Sequence, residues 1–175
     1  MLYYLNSRRK IGWMLLSAWL MGSALPALAA DATARLGVGA NYWTSLSSVK
    51  VDNVDRDGFS LLATSQYRPG LWGVQVDFEW LPDRFGEKAY APAAYLVLGR
   101  TLYAAAGLGI VHQGGDWADN PFVALRAGVD LELLQFAYLD LGVSYRFDSK
   151  TKLRDAVEDI DTDTLYLGAA LRFAF

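Results

Sequence analysis

The chain has no cysteine and a single histidine, His112. Without cysteine there is no disulfide framework, no thiolate metal site and no lipid-modified amino-terminal thiol. A surplus of positive charge is missing too, since 16 Lys and Arg face 19 Asp and Glu, which disfavours a nucleic-acid partner. Beyond residue 29 no uncharged apolar run approaches the roughly 20 residues that a spanning helix needs. If the mature chain lies in a membrane, it lies there as a closed barrel, because only helices and barrels satisfy every backbone polar group in lipid. The polar tail into which soluble domains usually fray is also absent. The last residues are TLYLGAALRFAF, Thr164 to Phe175.

What the sequence does have at its start is a compartment signal. MLYYLNSRRK closes on three cations, IGWMLLSAWLMGSAL is an uncharged apolar run of fifteen residues, and small residues stand at Ala27 and Ala29. That order predicts a secretory signal peptide over residues 1–29, removed by cleavage, and a mature domain over residues 30–175. The apolar run is too short for a spanning anchor. Cleavage removes Arg8, Arg9 and Lys10, leaving 13 Lys and Arg against 19 Asp and Glu, a net charge of −6 with His112 neutral.

Read with a period of two, the mature chain divides into eight segments: 34–43, 58–68, 71–81, 91–100, 102–113, 122–134, 136–147 and 164–175. Glycine is spread through them at a density that would cripple helices. The connections alternate in length. Long ones, 44–57, 82–90, 114–121 and 148–163, follow the odd-numbered segments; the others shrink to Pro69-Gly70, Gly99–Thr101 and Gln135. The expected fold class is all-β, an eight-stranded antiparallel up-and-down transmembrane barrel with long loops outside and short turns in the periplasm. Segment 91–100 is apolar on both faces, so its inward set stays open. Pro92 is expected at that strand's outer end, where a missing N–H is tolerated.

Alternation gives each strand one greasy and one polar face. In 72–80 the faces are Trp72, Val74, Val76, Phe78 and Trp80 against Gly73, Gln75, Asp77 and Glu79. A soluble, lipocalin-like periplasmic barrel binding an apolar ligand would turn the first set inward; a membrane barrel turns it outward. Three features favour outward. Tyr42, Tyr67, Trp72, Trp80, Tyr145 and Phe147 stand toward the ends of greasy faces, as an interfacial girdle requires. Gly37, Gly39, Gly73, Gly107, Gly109, Gly128, Gly142 and Gly168 fall on the other face, where a narrow lumen needs small residues beside large ones. The third feature is the ending. Phe175, with Phe173 and Leu171 at alternate positions before it and Tyr166 on the opposite face, looks like the carboxy-terminal targeting strand of outer-membrane barrel proteins.

With eight strands, the mature chain resembles the small outer-membrane barrel family typified by OmpA and OmpX. The resemblance implies an integral bacterial outer-membrane protein, inserted by periplasmic chaperones and the barrel-insertion machinery with Phe175 as an essential mark, and closed by pairing the last strand with the first. It implies contact with outer-membrane lipid and lipopolysaccharide, a monomer, no cofactor, and a structural or surface-interaction role carried by the outer loops.

Running the strands alternately up and down predicts two charge layers in the lumen. The lower holds Arg35 and Arg172 with Asp130, Glu132 and Asp140; the upper holds Arg126 and Arg146 with Asp77 and Glu79. Mixed signs in each layer predict Arg–carboxylate pairs and a plugged polar core, because an unpaired buried charge costs several kcal/mol and an eight-stranded interior is only wide enough for its own side chains. No catalytic, cofactor or metal site is expected. His112 is followed by Gln113 and Gly114, with no serine in the same loop, so neither class of lipid A-modifying barrel enzyme is matched, although such an enzyme stays the alternative. VDNVDRDG (51–58) and DAVEDIDTD (155–163) are acidic outer loops without the spacing of a calcium-binding helix–loop–helix site.

Overall fold

The computed structural model describes residues 33–46, 57–84, 87–147 and 163–175. The expected signal peptide and most of both acidic outer loops lie outside the described residues. Eight long strands follow one another: β1 (Thr33–Ser45), β2 (Asp57–Arg68), β3 (Trp72–Arg84), β4 (Glu87–Gly99), β5 (Leu102–Gly109), β6 (Phe122–Leu134), β7 (Ala137–Phe147) and β8 (Thr164–Ala174). Each pairs antiparallel with its neighbour in sequence. The last strand then meets the first, from Arg35↔Ala174 to Ser45↔Thr164, so the eight strands close on themselves. Closure satisfies the strand backbone and leaves no edge to pair with another chain.

Alternation sorts the side chains by face. On β3, Trp72, Val74, Val76, Phe78 and Trp80 point outward and are exposed, while Gln75, Asp77 and Glu79 are buried. The other strands repeat the pattern, with Leu36 and Val38 on β1, Leu125 on β6, Leu141 and Val143 on β7, and Leu167 and Phe173 on β8 all on the outside. The lipocalin-like alternative needs the reverse arrangement and is overturned. Eight steps of about 3.3 Å, tilted about 40°, separate Trp72 from Trp80 by about 20 Å along the barrel axis. That is close to the ~25 Å apolar band of an outer-membrane barrel. All six expected girdle residues sit on the outer surface. Tyr67 and Trp72 lie at the short-turn rim; Tyr42, Trp80, Tyr145 and Phe147 lie at the long-loop rim.

The β3–β4 connection departs from expectation. Residues 82–90 are not a long loop, because the strands extend through Arg84 and Glu87 into a tall hairpin with a bulge between Leu81 and Arg84. In consequence Pro92 is not at a strand end: it stands inside β4, opposite Phe78. Its missing N–H faces β5, and there the β4–β5 ladder is interrupted. Pairing ends at Ala93↔Gly109 and resumes in the same register at Tyr90↔His112, with Ile110 N–H still donating to Pro92 C=O (3.1 Å). The strand expected over 102–113 is therefore β5 plus His112–Gln113. A return strand, Asp116–Trp117, completes an outer hairpin whose turn residues Gly114 and Gly115 have φ of 62° and 96°. Both values are what a two-residue hairpin turn demands of glycine.

β4 also answers which way its apolar faces point. Ala89, Ala91, Ala93, Tyr95 and Val97 are buried inside. With Trp43, Leu81, Tyr103, Ala105, Val111, Phe122, Ala124 and Tyr166 they make an apolar cluster lining part of the lumen. The interior is thus not uniformly polar: small residues of β4 and β5 leave room for the long arginines that project from the other strands.

Candidate functional site

Among the described residues, buried charge gathers in the lumen, and its geometry follows from strand stagger. At its centre Asp140 on β7 accepts from three donors. Tyr103 Oη donates to Oδ1 (2.6 Å), while Arg172 Nη2 (2.7 Å) and Arg126 Nη2 both donate to Oδ2. Arg126 also donates through Nε to Tyr103 Oη (2.8 Å) and reaches Asp77 Oδ2 at 3.5 Å. Gln75 joins the two halves, giving its amide N–H to Asp77 (2.9 Å) and accepting from Arg172 Nη2 (3.1 Å). Asp140 and Arg172 are fully buried.

Above this centre, Glu79 on β3 meets Arg146 on β7, directly across the barrel. Asn41 Nδ2 (2.6 Å) and Ser60 Oγ donate to the remaining carboxylate oxygen. Arg146 is held between two rings, with its guanidinium carbon 3.9 Å from the Tyr166 centroid and 4.8 Å from that of Phe122. Toward the short-turn rim, Asp130 takes Arg35 Nη1 at 2.5 Å and Arg68 Nη1 at 3.4 Å. Arg35 stacks 3.5 Å over Tyr138, and Arg68 donates to the Arg100 carbonyl (2.8 Å).

The structure brings together Arg35 with Asp130, Arg172 with Asp140, and Arg146 with Glu79. Two features of the expected layering are corrected. The layers are not separate, because Arg126 on the upper level bridges down to Asp140 while remaining near Asp77. Glu132 does not belong to the lumen: it is exposed at the rim beside the β6–β7 bulge between Glu132 and Leu134, where water solvates a carboxylate without an arginine. Arg68, Tyr103, Asn41 and Ser60 join the network without having been expected. The parity of Ser60, Thr64 and Gln66 extends to Arg68, and that of Gly107 and Gly109 extends back to Tyr103, so both signals were present.

Two glycines show why the lumen can hold such side chains. A Cβ on Gly128 would stand 2.6 Å from Tyr103 Oη, and one on Gly109 would collide with the Phe122 ring.

The residues expected to mark the last strand divide between faces. Leu171, Phe173 and Phe175 point outward, and Tyr166 lies inside with its hydroxyl accepting from Arg146 Nη1 (3.1 Å). At the long-loop rim, Tyr42 donates to Asp57 (3.1 Å) and Tyr145 to Asp163 (2.6 Å), tying one end of each acidic loop to the girdle. His112 packs edge-on to Trp117 (4.8 Å) and near Tyr90 (6.5 Å), and no described serine or carboxylate is hydrogen-bonded to it. Among the described residues no cluster of His, Asp and Glu is arranged to hold a metal ion.

No protein-family model matches the sequence, and no curated protein matches it at the sequence level. Among solved structures, Neisserial surface protein A superposes with a TM-score of 0.61 at 19% identity, over 82% of this chain and 99% of that one. OprG from Pseudomonas aeruginosa gives 0.57 at 16% identity, over 83% and 96%. The amino-terminal β-barrel domain of Pseudomonas aeruginosa OprF gives 0.50 at 11% identity, over 81% and 97%. The fold is that of the small eight-stranded outer-membrane barrels.

Proposed function

We propose that this chain is an integral protein of a bacterial outer membrane, that its lumen is closed by its own side chains, and that it is not an enzyme. Its work is structural or surface interaction carried at the outer rim and loops, in contact with lipopolysaccharide, as a monomer inserted by periplasmic chaperones and the barrel-insertion machinery. The observation that carries this reading is the pairing of Glu79 with Arg146 across the full width of a barrel whose outside is apolar. A conducting pore needs a continuous wet path, whereas here guanidinium and carboxylate groups occupy the bore at three levels. The structural neighbours support the same class, and one of them is a surface protein by name.

Fractionation of cells expressing the full chain tests the location. The expected result is an outer-membrane band that migrates faster unboiled than boiled on a denaturing gel; a soluble periplasmic band with no heat shift would refute the reading. Closure of the lumen is tested in planar bilayers, where the folded protein should give no steady single-channel conductance. Overproduction with and without His112→Ala should leave lipid A composition unchanged, and a modification lost in the variant would reinstate the enzyme alternative.

A further inference from the structure

Register places four aromatic side chains in one row across adjacent strands at the long-loop rim, running obliquely because the strands are tilted. Trp80 pairs with Tyr90, Tyr90 with His112, and His112 with Trp117. Neighbouring strands are about 4.8 Å apart, so the row spans about 15 Å. Phe78 packs beneath it, 5.8 Å from Tyr90. The row is not core: Trp80, Tyr90 and Trp117 are all exposed, the last at 57%. It also exceeds what a girdle needs, because its final member stands on the return strand of the outer hairpin and is not part of the closed barrel.

One charge completes the surface. Lys88 precedes Tyr90 by two residues on β4, so alternation sets it on the same outward face, one step further from the bilayer. It is exposed and holds no ion pair with another described residue. The nearby acids do not share that position. Glu87 has the parity of Ala89 but is exposed, with its carboxylate over Gly114 at the hairpin turn, away from the aromatic row. Asp116 pairs with Gln113, whose amide reaches inward to the Arg84 carbonyl (3.0 Å). Asp83, at the β3 bulge, has a partner of its own.

Resting on the outer-membrane reading, we propose that Trp80, Tyr90, His112, Trp117 and Lys88 form a docking surface for the phosphorylated sugar headgroup of an outer-leaflet glycolipid. The less polar C–H faces of sugar rings pack on electron-rich aromatic faces. The phosphate takes a charge-assisted contact from the ammonium group above them. The height of the row selects this occupant, since the surface sits where acyl chains end and headgroups begin.

The test uses the full mature chain refolded in a zwitterionic detergent and titrated with purified lipopolysaccharide, with bound glycolipid read by native mass spectrometry. Trp117→Ala and Lys88→Ala should each weaken binding about tenfold, as expected for loss of one stacking or charge-assisted contact. Trp72→Ala, in the opposite belt, should leave it unchanged. Equal weakening by Trp72→Ala, or unchanged binding in both rim variants, would overturn the proposal. Phosphatidylglycerol binding as tightly as lipopolysaccharide would overturn its sugar half. Both rim residues lie outside the closed ladder or on its exposed face, so the variants should keep the heat-dependent gel shift. If the wild-type chain itself lacks that shift, the outer-membrane reading fails; if it shows the shift and the variants bind normally, only the docking surface fails.

Discussion

Asp140 serves two arginines and a tyrosine, and the neutral variant therefore removes more than one contact. Asp140→Ala leaves Arg126 and Arg172 buried without their shared counter-charge. We expect a loss of about 3–5 kcal/mol, measured as a lower urea midpoint for the folded band in vesicles. Arg35→Ala should cost less, about 1–3 kcal/mol, because buried Asp130 loses its nearer hydrogen-bond donor but keeps Arg68 as a counter-charge. Gly109→Ala should cost about 1–3 kcal/mol through overpacking against Phe122, and Phe122→Leu in the same chain should restore part of it. Rescue distinguishes a local collision from a general intolerance of strand substitution.

Among elements, β4 and β5 are where the sequence says least and Pro92 acts most. Pro92→Ala supplies the missing donor toward Ile110, so the ladder should run unbroken from Gly99 to the outer hairpin. Hydrogen exchange should then find a protected amide at position 92, with a gain of about 0.5–1.5 kcal/mol for the added bond. The other strands were legible because polar residues alternate with apolar ones: Asp77, Glu79, Arg126 and Arg146 declare their face. The alanines of β4 carry no such contrast, and only pairing shows which set is inside. Arg68 was hidden by its place beside a turn, where an arginine reads as a rim residue. Glu132 had lumen parity, but the following bulge ends the alternation that parity relies on. Which carboxylate Arg126 chooses depends on its stagger against both the neighbouring β7, with Asp140, and β3 three strands away, with Asp77, and no periodicity within one segment contains it.

At the scale of the whole molecule, the charges divide into a sealed set and an accessible one, and salt should tell them apart. The buried pairs lie beyond the reach of mobile ions, so the urea midpoint should shift little between about 0.05 and 1 M salt. Glycolipid binding at Lys88 should weaken over the same range as the Debye length falls to about 3 Å.

The pairs across the bore have a further consequence for how the molecule comes into being. Arg172 and Gln75 are 97 residues apart, Arg35 and Asp130 95, and Glu79 and Arg146 67. Their strands stand three or four positions apart round the ring, so no single hairpin contains both ends of such a contact. Until β8 reaches β1 these contacts across the bore cannot form, and only partners on neighbouring strands, such as Asp140 for Arg172 and Ser60 for Glu79, hold the charges. Sealing the seam and drying the interior are then one event, late and concerted, and a half-assembled chain carries its water with it.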